Sequence, residues 1–273
     1  MDPRPIGVFD SGIGGLMAVR ILRHLLPGEP ILYLGDTARM PYGDRPAGEI
    51  DRLTGELTGW LLRQNVKALI AACGTISCNA GETLQQLPVP CFDVVTAAAE
   101  AAAQATRNGR VGLAATSATI RSGRFTEEIE RRTGQAVTAV PCPLLAPMIE
   151  HGAGPDDPAL AAAVAEYCQP LLQSGVDTVV LGCTHYPLIA ELFTRILGPE
   201  VTLIDCAGEA AKAAAEAMKE QHLLAEGNDP AVTEYRFTAL PPQAARQTAR
   251  RMLGEDFTPR LLPLEKLTAF STE

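Results

Sequence analysis

Two stretches that read almost alike decide the fold: NVKALIAAC (residues 65–73) and GVDTVVLGC (residues 175–183). Each begins on a turn-favouring residue, runs through a short apolar segment and ends on a cysteine. Such a run, bounded by turn signals, reads as a strand buried on both faces of a parallel sheet.

Weaker matches extend outward at offsets of 105 to 112 residues. Ile6-Gly7-Val8 lies over Val111-Gly112-Leu113, Ile31 to Gly35 over Val137 to Pro141, and the segment ending at Asp93 over the one ending at Asp205. Any two α/β halves share patterns as loose as the first two pairs. The cysteine pair is more specific, because a chemical group is superposed as well as a run of hydrophobicity. Strands are expected at Ile6–Asp10, Ile31–Gly35, Lys67–Cys73, Cys91–Val95, Val111–Ala115, Val137–Pro141, Thr178–Cys183, Thr202–Cys206 and Tyr235–Thr238. Ala/Leu/Glu-rich stretches of helical period lie between them, as at Leu16–Leu26, Ala47–Asn65, Ala97–Arg107, Pro158–Gln173 and Gly208–Leu224.

This alternation predicts an α/β fold. The repeat predicts two similar domains with mainly parallel sheets, related by a pseudo-twofold axis across a cleft. Residues 1–96 form the first domain, completed by 208–273, and residues 97–207 the second. Ligands of open α/β sheets sit beyond the carboxyl ends of the strands, so Cys73 and Cys183 are expected to approach one ligand from opposite sides.

Composition narrows the function classes. With 273 residues, 47% hydrophobic and 20% charged, the chain can bury real cores and is neither disordered nor fibrous. Thirty-two acidic against 23 basic residues give a net charge of −9 without any basic block, which argues against nucleic acid or an anionic membrane surface as partner. No apolar run reaches membrane-spanning length and the start lacks a secretory signal, so the expected location is the cytoplasm. There the seven cysteines are thiols rather than bridges. Cys78, Cys91, Cys142, Cys168 and Cys206 have no matched partner in the repeat and read as core filler.

Each motif carries a chemical and a structural reading. Asp10-Ser11-Gly12-Ile13-Gly14-Gly15 follows the first strand, where its amides can hold an anion; Asp10 as a simple turn or cap residue is the alternative. Met17 stands where a dinucleotide fingerprint needs its third glycine, although Asp36 mimics the ribose-binding acid. No Gly-Lys-Ser/Thr follows, so a P-loop is excluded. Cys73-Gly74-Thr75 and Cys183-Thr184-His185 each precede a helix, whose terminal N–H groups lower a thiol pKa. Zinc is poorly served by four scattered histidines without C-x-x-C or H-x-x-x-H spacing, and no metal site is expected.

The repeat also shows what is not duplicated: Asp10 aligns with Ala115, and His185 with Thr75. One thiol gains an acid and the other an imidazole, which suits two mirror-image proton transfers handled unequally; a packed structural histidine is the alternative for His185. Thr116, Thr119 and Pro41-Tyr42-Gly43 add hydroxyls and amides to the same edge, although turn chemistry explains Pro-Tyr-Gly equally well.

On IGVFDSGIGGL (6–16), YLGDTARMPYGDR (33–45), AACGT (71–75), ATSATIRS (115–122) and LGCTHYPL (181–188), the chain resembles the cofactor-independent aspartate/glutamate racemase family over almost its whole length. The segment RFTALPPQAARQTARRMLG (236–254) looks like that family's closing strand and helix.

The resemblance implies reversible interconversion of L- and D-glutamate without metal or pyridoxal phosphate, with the product destined for peptidoglycan. It makes Cys73 and Cys183 the catalytic acid/base pair, the first working on the D- and the second on the L-enantiomer. It makes Asp10, His185 and Glu150 auxiliary, and puts Ser11, Tyr42, Gly43, Gly74, Thr75, Thr116, Thr119 and Thr184 at substrate-contact positions along with Asp10 and His185. A homodimer is the assembly it implies. The N-terminal extension that accompanies precursor activation in some members is expected to be absent, since five residues precede the first strand.

Two departures stand out. Gly74 replaces the family's usual Asn, a loss of one polar contact worth about 1–3 kcal/mol, and Ala115-Thr116 replaces its usual Gly-Thr. Two other readings remain open: a sibling racemase of aspartate or another acid, and a non-enzymatic two-lobe thiol or binding protein.

Overall fold

The computed structural model describes residues 2–226 and 230–268. Its strands are β1 (Ile6–Asp10), β2 (Ile31–Gly35), β3 (Ala68–Ala71), β4 (Cys91–Asp93), β5 (Val111–Ala115), β6 (Thr138–Pro141), β7 (Thr178–Leu181), β8 (Thr202–Asp205), β9 (Thr233–Phe237) and β10 (Pro259–Leu261). They form two wholly parallel sheets, in the orders β10-β9-β2-β1-β3-β4 and β6-β5-β7-β8. The repeat is thus one of topology: β2-β1-β3-β4 and β6-β5-β7-β8 are the same winding. The segment after residue 230 extends the first sheet through β9, which pairs with β2.

Burial on both faces explains the apolar runs. In the first sheet Ile6, Val8, Ile31, Tyr33 and Ile70 point inward, and Phe9, Leu32, Leu34 and Leu69 outward. The outward set packs under the helix Ala47–Arg63 through Ile50, Leu53, Leu57 and Trp60. Beneath the second sheet, Val179 and Leu181 meet Leu160, Val164 and Leu171 of the helix Pro158–Gln173.

The two inner faces share one core with the helices Leu16–Leu25, Val94–Ala105 and Cys206–Glu220. The last two are alanine-rich on their buried faces, so their backbones approach closely in this common layer. The expected divisions at 96/97 and 207/208 fall inside these two helices. Both helices start earlier than their periodicity suggests. Asp93 accepts from the amides of Val95 and Thr96, and Asp205 from those of Ala207 and Gly208. These N-caps end β4 and β8 at the aspartates, so the expected strand ends at Val95 and Cys206 belong to helices. Strand β10, three residues long, carries too little pattern to be legible in the sequence.

Candidate active site

In a sheet wound 2-1-3-4 the chain reverses direction between the two central strands, and a crevice opens beyond their carboxyl ends. Here two such crevices face each other. Asp10 and Ser11 leave β1, Cys73 leaves β3, Thr116 leaves β5 and Cys183 leaves β7. All five line one pocket with Tyr42, Gly43, Gly74, Thr75, Glu150, Thr184 and His185.

The lobes meet there at glycines. A Cβ on Gly14 would stand 2.2 Å from Thr184 Oγ1, and one on Gly74 would stand 2.2 Å from the Gly182 carbonyl oxygen. The amide side chain that the resemblance places at 74 therefore has no room; the carbonyl of Gly182 occupies its place. Hydrogen bonds cross the same seam. The Thr184 hydroxyl donates to Asp10 Oδ2 (3.4 Å), Thr75 and Thr116 are hydrogen-bonded hydroxyl to hydroxyl (3.0 Å), and the Ala118 amide donates to the Gly43 carbonyl (3.0 Å).

The thiols are buried and differ in company. Cys73 is 5% exposed and Cys183 7%. Cys73 Sγ lies 3.5 Å from Ser11 Oγ. Cys183 Sγ lies 3.7 Å from His185 Nδ1, and the other ring nitrogen, Nε2, is 2.9 Å from Glu150 Oε1. The latter contact is a close ion pair rather than an aligned hydrogen bond.

Burial, reinforced by the Asp10 carboxylate and partly offset by the Ser11 hydroxyl, pushes the Cys73 thiol up to about 12. The Ile76 amide of the helix that follows Cys73 pulls the pKa down, as the sequence suggests, but desolvation outweighs it. Burial also lifts Asp10 to about 6, against the pull of His185 and the Gly12 amide, which donates to Oδ1 at 2.6 Å. For His185 burial opposes the charge, but Glu150 and the Cys183 sulfur outweigh it and hold the imidazole well above its ordinary value.

The pocket contains no lysine or arginine and three carboxylates, Asp10, Asp44 and Glu150. An anionic ligand must then be held by main-chain amides, hydroxyls and the imidazolium. The helix Gly74–Asn79 directly follows Cys73, and its first amides have no carbonyl of their own turn to serve.

Of the expected site residues, Thr119 alone lies off the pocket surface. It is 1% exposed and stands behind Thr116, hydroxyl to hydroxyl at 3.0 Å. Conversely, Asp44, Ser117, Pro143, Ala146 and Pro147 line the pocket without having been singled out. Ser117 was readable as the neighbour of Thr116, whereas the Pro143–Pro147 wall arrives from β6 through packing alone. The five unmatched cysteines are free and lie off the pocket.

A protein-family model described as Asp/Glu/Hydantoin racemase matches residues 17–214. The chain is 42% identical over 253 residues to the glutamate racemase of Syntrophus aciditrophicus (strain SB), which covers 92% of this chain and 93% of the relative. Its structure resembles that of glutamate racemase from Thermus thermophilus in complex with beta-chloro-D-alanine, at 39% identity and a TM-score of 0.85 over 97% of this chain and 100% of that one. The glutamate racemase of Francisella tularensis in complex with D-glutamate superposes with a TM-score of 0.89 at 34% identity, covering 97% and 99% of the two chains. No helix among the described residues is long and apolar enough to cross a membrane.

Proposed function

The chain belongs to the Asp/Glu/hydantoin racemase family, and we propose that it racemises glutamate by two-base proton transfer between Cα and the thiols of Cys73 and Cys183. The observation that carries this reading is the pair of thiols at the facing carboxyl ends of β3 and β7, in one pocket without lysine or arginine.

With L-glutamate bound, the Cys183 sulfur, as thiolate beside the His185 imidazolium, removes the α-proton. Cys73, a thiol at neutral pH, protonates the opposite face. Cα is inverted, and the proton lost to one sulfur is replaced from the other. D-glutamate runs the path in reverse, starting from a Cys73 thiolate. A proton on Asp10 removes the repulsion that disfavours that thiolate.

The carbanionic transition state is far more basic than a thiolate. Its stabilisation falls to donors already oriented in a dry pocket: the amides and hydroxyls around Ser11, Gly74, Thr75 and Thr184. The α-ammonium finds its counter-charge in the carboxylates of the pocket, in Asp10 only while that acid is ionised. The D-glutamate formed supplies cell-wall peptidoglycan from the cytoplasm. Dimerisation, expected from the family resemblance, belongs to this reading and is tested by light scattering.

Incubation of each glutamate enantiomer in heavy water decides the matter. One solvent deuteron enters Cα as the circular dichroism decays to zero. Full racemisation by both Cys73→Ala and Cys183→Ala would refute the two-thiol path, and turnover of aspartate in preference to glutamate would refute the substrate.

A further inference from the structure

We propose that Asp36 is a positioning residue of this site, one that fixes the Tyr42-Gly43 corner of the pocket by taking the Tyr42 hydroxyl out of contact with substrate. Asp36 directly follows β2, and its amide donates to the Asp10 carbonyl at 3.0 Å, which ties it to the end of β1 at the pocket. Its carboxylate is fully buried yet does not line the pocket. A carboxyl group in that place needs several hydrogen-bond partners, and three converge on it, two from the loop that follows it and one from beyond β9. Arg39 Nε donates to Oδ2 at 2.7 Å, the Tyr42 hydroxyl donates to the same oxygen, and Thr238 Oγ1, just beyond β9, donates to Oδ1 at 2.7 Å.

Two of the donors are held in turn. Arg39 pairs with the buried Glu56 of the helix Ala47–Arg63, and Glu56 also binds Arg52. Thr238 Oγ1 accepts from the Ala38 amide at 2.9 Å, and Thr37 bonds the Ala239 carbonyl. Residues 36–42 are therefore latched at both ends to one carboxylate.

The consequence falls on the pocket. Tyr42 is 1% exposed and its hydroxyl proton is committed to Asp36. What this corner offers a ligand is the ring and the main chain, and the next residue, Gly43, accepts from the Ala118 amide of the opposite lobe. The latch thus sets the seam between the lobes as well as one wall. A residue acting in this way lowers affinity when lost, and leaves the proton-transferring sulfurs in place.

The inference rests on the glutamate reading above, so its test has one arm that needs no turnover. In the catalytic arm, Asp36→Asn and Tyr42→Phe each raise KM for both enantiomers about tenfold while kcat stays within about threefold. The double variant is no worse than the worse single one, since both act on the same hydrogen bond, which Asp36→Asn weakens and Tyr42→Phe deletes. Additive losses would show that the Tyr42 hydroxyl touches substrate and would overturn the proposal. So would a fall in kcat at constant KM, the mark of a merely structural role.

In the second arm, hydrogen–deuterium exchange of the Ala38, Arg39 and Arg45 amides, which donate to Thr238, Asp36 and Tyr42, rises about tenfold in either variant while the helix Ala47–Arg63 keeps its protection. Unchanged exchange would overturn the proposal even in a protein that proves inactive on glutamate. Inactivity of the wild-type chain would instead refute only the functional reading. Tyr42→Phe deletes a single oxygen and guards against an Asp36→Asn variant that fails to fold.

Discussion

Cys183 Sγ lies 3.7 Å from His185 Nδ1, whereas the sulfur of Cys73 has the Ser11 hydroxyl at 3.5 Å and the charge of a buried Asp10 for company. The two halves of the repeat therefore deliver the same atom into unlike electrostatic settings. The equilibrium constant of a racemisation is one, so this asymmetry cannot bias the product ratio. It shows in kcat and KM taken separately for each enantiomer, while kcat/KM remains equal in the two directions.

Replacing either thiol removes one of the two proposed proton carriers. Cys73→Ser and Cys183→Ser are each expected to lower kcat/KM by about 10²–10⁴-fold, the usual worth of a positioned acid or base. The loss must be identical for L- and D-glutamate. Polarimetric assay in both directions checks this, and near-wild-type turnover by either variant would refute the pair.

Glu150 is the strongest of the influences that raise the His185 imidazole above its ordinary value. With Glu150→Gln the strongest of the influences that raise the imidazole is gone, and burial, which favours the neutral ring, takes over. The His185 pKa then falls, and activity at pH 8 drops about tenfold more than activity at pH 6. A pH profile of kcat/KM with NMR titration of the ring reads both effects. A profile parallel to wild type would disprove the role of Glu150.

Asp10 links function to stability. Its native pKa of about 6 lies above that of an unfolded carboxyl, near 3.9, so the native state holds this proton more tightly than the unfolded chain. Stability from this group is whole below about pH 4 and is lost as pH rises through about 6. Asp10→Asn keeps a side chain that accepts from the Gly12 amide while removing the buried charge. The variant should be more stable at pH 8, by up to about 3 kcal/mol, with no gain near pH 4 and impaired racemisation. Urea denaturation at the two pH values measures it, and a gain independent of pH would contradict the linkage.

Gly74 is a packing residue. An added Cβ meets the main-chain oxygen of Gly182, which belongs to the strand end that carries Cys183 and cannot step aside alone. Gly74→Ala and Gly74→Asn should each cost about 1–3 kcal/mol by overpacking and lower kcat/KM by spreading the thiols. Thermal unfolding and kinetics test this; an Asn variant that is both stable and faster would show that the seam opens freely.

Much of the site was legible from short range. The β-α-β winding, the two strand-end cysteines and the loops at Asp10, Thr116 and His185 all follow from where apolar runs stop, because a parallel strand must be apolar while buried and polar where it emerges. The capped helices after Asp93 and Asp205 were readable by the same logic, though their alanine periodicity masked the start. Thr119 misled because it shares the helical start of Thr116, yet the turn of that helix carries it behind its neighbour.

The sequence by itself determined the two windings and put a thiol at the end of a central strand in each. Only the tertiary structure decided what each thiol feels. The charge of Asp10 on Cys73, the Glu150 contact that outweighs burial at His185, the closure of Gly74 against Gly182 and the latch on Asp36 all join residues far apart in the chain. Such interactions depend on distance and desolvation in three dimensions, which no local pattern of hydrophobicity records.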